Sequence, residues 1–305
     1  MIAVTGANGY IGLATLQWLA REGAGGIGIG RSAPVFPLPP STQWRIFGHP
    51  GTFSDCDCVI HLAGRAHTTV AIDGGLDIFD QANRQLALDT AVAAHAAGVR
   101  SFVFVSTIGV HGNWSVEPVR ADSPLHLETP YARSKWAAEQ ALSVFCADVG
   151  MRLCIVRPPM VYGPGCPGNF PRLLKLIASG LPLPLASMRS VRSFIQVDNL
   201  VSFLVLCARR ALPEQSIFVI GDGSDWSTAQ LTESMAEALG KPSRIFPFSI
   251  GMLGLLASGI GHGREFDSLA RPMRIDAHHA WEQCAWLPSI NPSEGLREAV
   301  RAYVC

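Results

Sequence analysis

The sequence predicts an α/β protein built on a doubly wound parallel sheet, with a smaller, discontinuous lobe drawn from its C-terminal half. Three observations predict it. Apolar runs of strand length alternate with Ala- and Leu-rich stretches of helical period through the first half of the chain. Those runs are continuously apolar rather than alternating, the pattern of strands covered by helices on both faces. A glycine-spaced turn, "VTGANGYIG" (Val4 to Gly12), joins the first run to the first helical stretch.

In chain order the strand candidates are "IAVT", "GIGIG", "CVIHLAG", "SFVFVST" and "RLCIVRP". Between them lie "YIGLATLQWLAREG", "ANRQLALDTAVAAHAAG" and "YARSKWAAEQALSVFCADVG", each closing on a Gly suited to end a helix. After Arg157 the texture changes to the Pro- and Gly-dense "PPMVYGPGCPGNFP" and "GLPLPLAS", which predicts loops and short helices of a second lobe. "RSFIQVDNL" and "SIFVIGDG" predict a return to the sheet, and the tail from about Trp226 reads as helical with short breaks. The expected division is 1–157 with about 191–220 for a dinucleotide-binding domain, and about 158–190 with 221–305 for a substrate lobe. There is no internal repeat or low-complexity tract.

At 305 residues the chain exceeds the usual size of a single core. Lys+Arg 24 balance Asp+Glu 24, and no run of like charge stands out, so neither a nucleic-acid groove nor an anionic-membrane patch is expected. The eight cysteines, at positions 56, 58, 146, 154, 166, 207, 284 and 305, are scattered through apolar segments and read as reduced, buried thiols. Cys56 and Cys58 lack a second pair at metal-ligand spacing, and no metal is expected. His61 and His67 read as a cofactor-wall and a loop residue. No signal-peptide pattern precedes the first strand, so a cytoplasmic enzyme is the expectation. The longest apolar stretch, "FSIGMLGLLASGIG" (Phe248 to Gly261), is too short and Gly-broken to cross about 30 Å of hydrocarbon. It is expected to be a buried or substrate-facing helix, with a membrane-surface helix as the alternative.

Glycine inside regular structure costs roughly 0.5–1 kcal/mol relative to Ala, so Gly6, Gly9 and Gly12 in one turn need a reason. A diphosphate supplies one, because the turn admits close backbone approach and the following helix N-terminus presents amides to the anion. The spacing is G-x-x-G-x-x-G, not G-x-G-x-x-G. Within this motif Asn8, Tyr10 and Ile11 are expected beside the cofactor, together with Leu62, Ala63 and Gly64 of "VIHLAG". An acidic residue ending the second strand would hydrogen-bond a ribose 2′-OH, but "GGIGIGRS" ends in Arg31 and Ser32. Arg31 can meet a 2′-phosphate, which favours NADP(H) over NAD(H).

"YARSKWAAEQ" sets Tyr131 and Lys135 four apart at a helix start, on one face. An ammonium beside a phenol favours the phenolate and makes Tyr131 an acid/base candidate. Upstream, "FVFVST" ends in Ser106 and Thr107 at the strand edge where open α/β sheets bind ligands. A hydroxyl there suits a reacting carbonyl oxygen.

With these residues in place, the sequence resembles the extended short-chain dehydrogenase/reductase family, a Rossmann-like fold, in its sugar-nucleotide epimerase and dehydratase branch. The resemblance spans essentially the whole chain, through "TGANGYIG", "VIHLAG", "FVFVSTIGVHG", "YARSKWAAE", "RPPMVYGPG", "VRSFIQVDNL" and "CAWLPSINPSEGLREAV". It implies that Thr107 is the catalytic hydroxyl, Tyr131 the proton donor and Lys135 the residue that binds the nicotinamide ribose and tunes Tyr131. It also implies that Asn83 lies near the active site, that Pro158 and Pro159 lie against the nicotinamide or pack rigidly, and that Arg192 pairs with a substrate diphosphate. Asn169 matches a residue that approaches the diphosphate or uracil. Arg172 and Arg189 are further cations available to a diphosphate.

Within the branch the sequence looks most like bacterial 4-keto reductases acting on UDP-2-acetamido-2,6-dideoxy-hexos-4-uloses in surface-polysaccharide synthesis. The rivals are a UDP-hexose 4-epimerase with tightly bound NAD and a non-catalytic cofactor sensor on the same fold. A dehydratase fits less well, since Ile108 and Gly109 follow the hydroxyl where elimination calls for acidic residues. Two departures stand out. "WRIFGHPGTFSDCD" lacks the acidic residue that commonly follows the third strand and contacts adenine, and "VHG" carries His111 where many relatives have Tyr. His111 either faces the sugar or packs. The resemblance and two Ala-rich helices imply a homodimer, although both helices equally suit covering the sheet.

Overall fold

The computed structural model describes residues 1–66, 78–259, 261 and 263–304. His67 lies outside the described residues. In chain order the elements begin β1 (Ile2–Thr5), α1 (Tyr10–Arg21), β2 (Gly26–Gly30), β3 (Thr42–Ile46) and β4 (Cys58–His61). A π-helical turn, Asp80–Gln85, runs into α2 (Leu86–Ala96), followed by β5 (Ser101–Val105), α3 (Pro130–Val149) and β6 (Arg152–Arg157). The second half holds β7 (Met160–Tyr162), α4 (Asn169–Ala178), β8 (Val191–Gln196), α5 (Val197–Arg209), β9 (Gln215–Val219), β10 (Asp225–Ser227) and α6 (Thr228–Ala238). Four helices close the chain: α7 (Ile250–Gly259), α8 (Gly263–Ala270), α9 (His278–Cys284) and α10 (Pro292–Val304).

The chain divides into two compact units. The first, 1–110 with 124–158 and 200–218, carries a seven-stranded sheet in the order β3-β2-β1-β4-β5-β6-β9. The pairings from β3 to β6 are parallel, and the order reverses between β1 and β4, where Thr5 pairs with His61. This is the doubly wound sheet that the apolar runs predict. Its core is the set of inward side chains of the central strands, Ile27, Ile29, Val59, Phe102, Phe104 and Ile155 among them, closed by small residues of α2 and α3 such as Ala91 and Ala138. The predicted helix ends are present: Gly23, Gly98 and Gly150 all have positive φ, and Thr129 caps α3 by accepting from the Ala132 N–H at 3.0 Å. β3 was not among the predicted strands. It is an edge strand whose sequence, TQWRI, is only partly buried, so it lacks the continuous apolar signature.

The second unit, 111–123 with 159–199 and 219–305, carries a three-stranded sheet ordered β10-β8-β7. Two boundaries differ from those expected. Residues 111–123 belong to this unit, and "RSFIQV" does not rejoin the large sheet. As β8 it pairs with β7 in parallel on one edge (Met160 with Phe194) and with β10 antiparallel on the other (Asp225 with Ser193), so both its ladder edges are taken. The expected buried helix is also corrected: α7 has no buried residue. Among the described residues no helix is long and apolar enough to cross a membrane. Among the described residues seven cysteines are buried and none is in a disulfide, and Cys305 lies outside them.

A buried polar hub organises the second unit. Asp222 accepts from the Gln196 N–H (2.8 Å), Asn199 Nδ2 (2.8 Å) and the Tyr162 hydroxyl (3.0 Å). Asn199 also exchanges two hydrogen bonds with the backbone of Ile290, at 2.9 and 3.0 Å, just before α10. Burial pushes the Asp222 carboxyl up to about 6 against these donors. Replacing Asn199, which is fully buried, with Ala removes one of the three donors to Asp222 and strands both Ile290 backbone groups. Asn199→Ala is expected to lower stability by about 3 kcal/mol, read as a lower urea midpoint with an unchanged denaturant slope.

Candidate active site and cofactor cleft

A cavity of about 800 Å³ opens within the first unit over the C-terminal ends of β1, β2 and β4, the crevice where the strand order reverses. Its floor is the turn after β1. Gly6 has φ +67°, and a Cβ there would fall 2.6 Å from the Ala63 nitrogen and 2.7 Å from the Leu62 carbonyl carbon. A Cβ on Gly12 would meet Ala7 Cα at 2.8 Å. Gly9 is the N-cap of α1 and offers no side-chain acceptor, so the first amides of the helix remain available. Two glycines are thus demanded by sterics, and the helix end is left open for an anion. Asn8 holds the rim by donating to Ala33 O (3.3 Å) and accepting from the Val35 N–H (3.1 Å).

Of the residues expected at the cofactor, Gly6, Asn8, Gly9, Arg31, Ser32, Leu62, Ala63 and Gly64 line this cavity. Tyr10, Ile11 and Gly12 form the first turn of α1 behind it. Arg31 and Ser32 are exposed at the end of β2, and the Arg31 guanidinium has no ion-pair partner among the described residues. Phe47, which the sequence reading missed, lines the same cavity, its N–H bonded to Gly30 O at 2.9 Å. It follows β3 directly, close to where an acidic adenine contact was sought. An aromatic ring beside the cleft is a second way to hold a planar base.

Asn83 is buried in the π-helical turn and acts as a clamp. Its Oδ1 accepts the Arg65 N–H (2.8 Å), and its Nδ2 donates to Arg65 O (3.1 Å) and Ser134 Oγ (2.8 Å). Ser134 Oγ in turn donates to the Tyr131 carbonyl at 2.8 Å. The loop after β4 and the first turn of α3 are therefore tied through one amide. Gly64 is required here, since a Cβ would fall 2.6 Å from Asn83 Oδ1.

Thr107 stands half-buried just past β5, its Oγ1 accepting the Gly109 N–H at 3.1 Å. The Pro158 carbonyl accepts the Ile108 N–H at 2.9 Å, which ties the Thr107 turn to the residue after β6. Pro158 itself is buried. Lys135 is buried, with Nζ 4.0 Å from the centre of the Phe104 ring, and burial pulls its amine down to about 7 although Glu139 opposes the shift. Tyr131 packs against Phe79, ring centres 6.4 Å apart. Burial pushes its hydroxyl up to about 12, the reverse of the lowering that the Tyr-Lys spacing predicts. The reason is that Lys135 is itself desolvated and its amine pulled down to about 7, leaving burial to dominate at the phenol.

His61 lies below the cleft, fully buried and stacked on Phe102 and Phe104 at 5.6 and 5.9 Å, with Nδ1 3.0 Å from Thr5 Oγ1. Burial, then the Lys135 charge, holds its ring down to about 3, so it is neutral. Its place is in the sheet and not on the cleft wall. Among the described residues there is no group of three or more His, Cys, Asp or Glu placed to hold a metal ion.

Glu139 is the other side chain that sequence reasoning missed. It lies one turn beyond Lys135 and pairs with Arg157 at the end of β6, Nε to Oε1 at 3.1 Å and Nη2 to Oε2 at 2.5 Å, both side chains nearly fully buried. An acid four residues after Lys135, facing an Arg that closes an apolar strand, was the available signal. The pair pins the helix that carries Tyr131 and Lys135 to the sheet.

In the second unit, Arg192 of β8 donates to Asn113 O (3.1 and 3.2 Å) and Arg271 O (2.9 Å). It has backbone acceptors but no carboxylate, and burial lowers it to about 10. A largely desolvated guanidinium without a counter-charge is a ready anion partner. Asn169 is exposed at the start of α4, where Arg172 reaches its Oδ1 at 3.4 Å. His111 is buried within this unit, which favours the packing alternative for it.

A doubly wound sheet, a glycine-floored cleft at the strand reversal and a hydroxyl, phenol and amine on neighbouring elements define a dinucleotide-dependent class of α/β enzyme. Residues 2–221 match the NAD dependent epimerase/dehydratase family, and the chain belongs to it. The UDP-glucose 4-epimerase of Vibrio cholerae is 31% identical over 250 residues, 81% of this chain and 76% of that protein. The N-acetyl-alpha-D-glucosaminyl-diphospho-ditrans,octacis-undecaprenol 4-epimerase of Escherichia coli O157:H7 is 27% identical over 202 residues, 65% of this chain and 60% of that protein. In fold, the chain is similar to the UDP-glucuronic acid 4-epimerase from Bacillus cereus in complex with NAD, with TM-score 0.80 and 19% identity over 99% of this chain and 98% of that one.

Two measurements test the support of α3. Arg157→Met leaves Glu139 buried without its partner and is expected to destabilise by about 3–5 kcal/mol, whereas Arg157→Met combined with Glu139→Leu restores most of the loss. For Lys135, the folded value near 7 lies below the free value of 10.5. The unfolded chain therefore holds a proton that the folded one has released, and stability rises with pH between about 7 and 10.5. Lys135→Met is expected to abolish that rise and to raise the melting temperature at pH 7; an unchanged pH slope would contradict the buried amine.

Proposed function

We propose that the chain is a nucleotide-sugar oxidoreductase that works at C4 of the hexose, and the observation that carries this is the Thr107, Tyr131, Lys135 set past β5 and at the start of α3, a helix tied through Asn83 to the Arg65 loop that lines the glycine cleft. Gly6, Gly9 and the open end of α1 would hold a cofactor diphosphate, Phe47 would face its base, and Arg31 and Ser32 would meet its ribose. The steric demand at Gly6 and Gly12 and the absent N-cap acceptor fit such a group. When bound, a nicotinamide supplies or accepts the hydride.

This chain's own residues do the rest. Tyr131 exchanges a proton with the C4 oxygen, and Thr107 hydrogen-bonds the same oxygen as its charge develops. Lys135, near neutrality in charge, gains a proton when negative charge comes near and then lowers the phenol. Arg192 and Asn169 are proposed to bind the substrate diphosphate, a group that the names of both curated relatives include. Pairing of two copies through α2 and α3 is also proposed, supported by the exposed Val92 and Val144 on those helices.

Two finer readings share this chemistry. The Vibrio cholerae relative supports 4-epimerisation of a UDP-hexose with retained NAD. Arg31, unpaired at the cleft, and Tyr131, held in the protonated form that reduction of a ketone consumes, support net reduction of a UDP-linked, N-acetylated 6-deoxy 4-keto sugar with NADPH. One experiment separates them. The purified protein is given UDP-hexoses without reductant, with epimer formation followed by chromatography, and UDP-4-keto sugars with NADPH or NADH, followed by loss of reduced-nicotinamide absorbance. Epimer formation with co-purified NAD selects the first reading; stoichiometric NADPH consumption selects the second, and neither activity refutes both. In whichever assay is active, Tyr131→Phe is expected to lower kcat roughly 10²–10⁴-fold. Arg31→Asp is expected to cut any NADPH preference by about tenfold or more, and an unchanged ratio would remove Arg31 from the cofactor site.

A further inference from the structure

The chain's zero net charge conceals a strong local segregation. No Asp or Glu occurs between Asp148 and Asp198, and none between Glu237 and Glu265. The structure lays parts of these two acid-free segments side by side within the second unit. Backbone hydrogen bonds join 181–187 to 244–248: Leu183 donates to Arg244 O at 2.9 Å and accepts the Phe246 N–H at 2.9 Å, and the Phe248 N–H reaches Ser187 Oγ at 3.1 Å. Lys241 donates to Ala178 O, and Arg244 to Gly180 O at 3.0 Å, which ties the second segment to the end of α4.

On this base stands α7, "IGMLGLLASG", apolar around its whole circumference and without one buried residue. Leu255 is 76% and Leu256 62% exposed, and Leu176, Leu181, Phe246 and Met252 are exposed as well. Exposed cations on the same segments are Arg172, Lys175, Arg189, Lys241 and Arg244, and none of the five forms an ion pair among the described residues. The helix packed against α7 through Phe266, α8, carries Asp267, which is already paired with Arg271 at 2.9 Å, so this acid leaves the five cations unmatched. Several exposed large apolar side chains on segments whose only charges are cations are not ordinary solvated surface.

We propose that this face docks on an anionic phospholipid bilayer, with α7 lying in the headgroup region and the flanking Lys and Arg side chains against lipid phosphates. The charge pattern selects this occupant over a second copy of the chain. A two-fold self-interface apposes the patch to itself and would bring like charges together around the apolar centre, whereas an anionic surface complements every cation on the rim. A helix apolar on all sides and without a buried residue also suits shallow insertion, and it is too short to span. The zero net charge of the whole chain is compatible with this local excess because the balancing acids lie in other segments.

The test is co-sedimentation of the full chain with vesicles of phosphatidylcholine alone or mixed with phosphatidylglycerol, at low and high salt. Binding to the mixed vesicles is expected to exceed that to neutral ones by about tenfold or more and to weaken with salt. Leu255→Asp/Leu256→Asp and, separately, Lys175→Glu/Arg189→Glu should each reduce it by about tenfold, with circular dichroism and melting temperature unchanged because these side chains are exposed. Equal, weak binding to both vesicle types would overturn the proposal, as would variants that pellet like the wild type. Light scattering supplies the rival outcome: a multimer that Leu255→Asp/Leu256→Asp dissociates would show that the face covers another copy and not a membrane.

Discussion

Everything at the cleft depends on how closely the turn after β1 approaches the chain leaving β4. The Thr5 and His61 register sets these two strand ends side by side, and Gly6 then passes so near the Leu62 and Ala63 backbone that no side chain could stand between them. Because the turn lies this low, α1 starts at once, with Gly9 as a bare N-cap and its first amides facing the cavity. Reversal of strand order between β1 and β4 leaves the space above unfilled by a crossover helix. Steric exclusion, anion-seeking amides and an open crevice are thus three consequences of one backbone contact.

The second requirement is a rigid platform for Tyr131 and Lys135. Helix α3 is held at its start by the Asn83, Ser134 and Tyr131 chain of hydrogen bonds, and further along by the bidentate Arg157 and Glu139 pair. Buried pairs of this kind contribute little net stability relative to apolar replacements, because two ions are desolvated. Their value here is geometric: the pair has one good arrangement, and that arrangement fixes the register of α3 on β6.

How much of this the sequence disclosed follows from which interactions are local. The glycine turn, the parallel strands and the Tyr131 and Lys135 face were legible because each is written in contiguous residues with a fixed period. β3 escaped since an edge strand carries polar residues on both sides, and β8 was assigned to the wrong sheet because an apolar run does not state its neighbours. Glu139 and Phe47 were hidden because their partners, Arg157 and Gly30, lie 18 and 17 residues away in a parallel fold. The exposure of α7 was illegible for the opposite reason. An apolar helix looks the same in sequence whether a core or a surface receives it, and only the acid-free neighbours that pair beside it distinguish the cases.

The protonation pattern at Tyr131 and Lys135 gives the strongest reason to regard the site as selected for chemistry. Packing over Phe104 does not call for an amine, since an unbranched apolar side chain would fill the same space without desolvation. Glu139, the nearest group able to hold the ammonium charged, is already committed to Arg157. A lysine retained where stability argues against it points to a role outside folding. With its amine near 7, Lys135 sits where a small change in local potential switches its charge. Negative charge brought close raises the amine, and the ammonium so formed lowers the phenol from about 12. The acid/base role proposed for Tyr131 is therefore conditional on what occupies the cleft, and burial opposes it in the isolated chain.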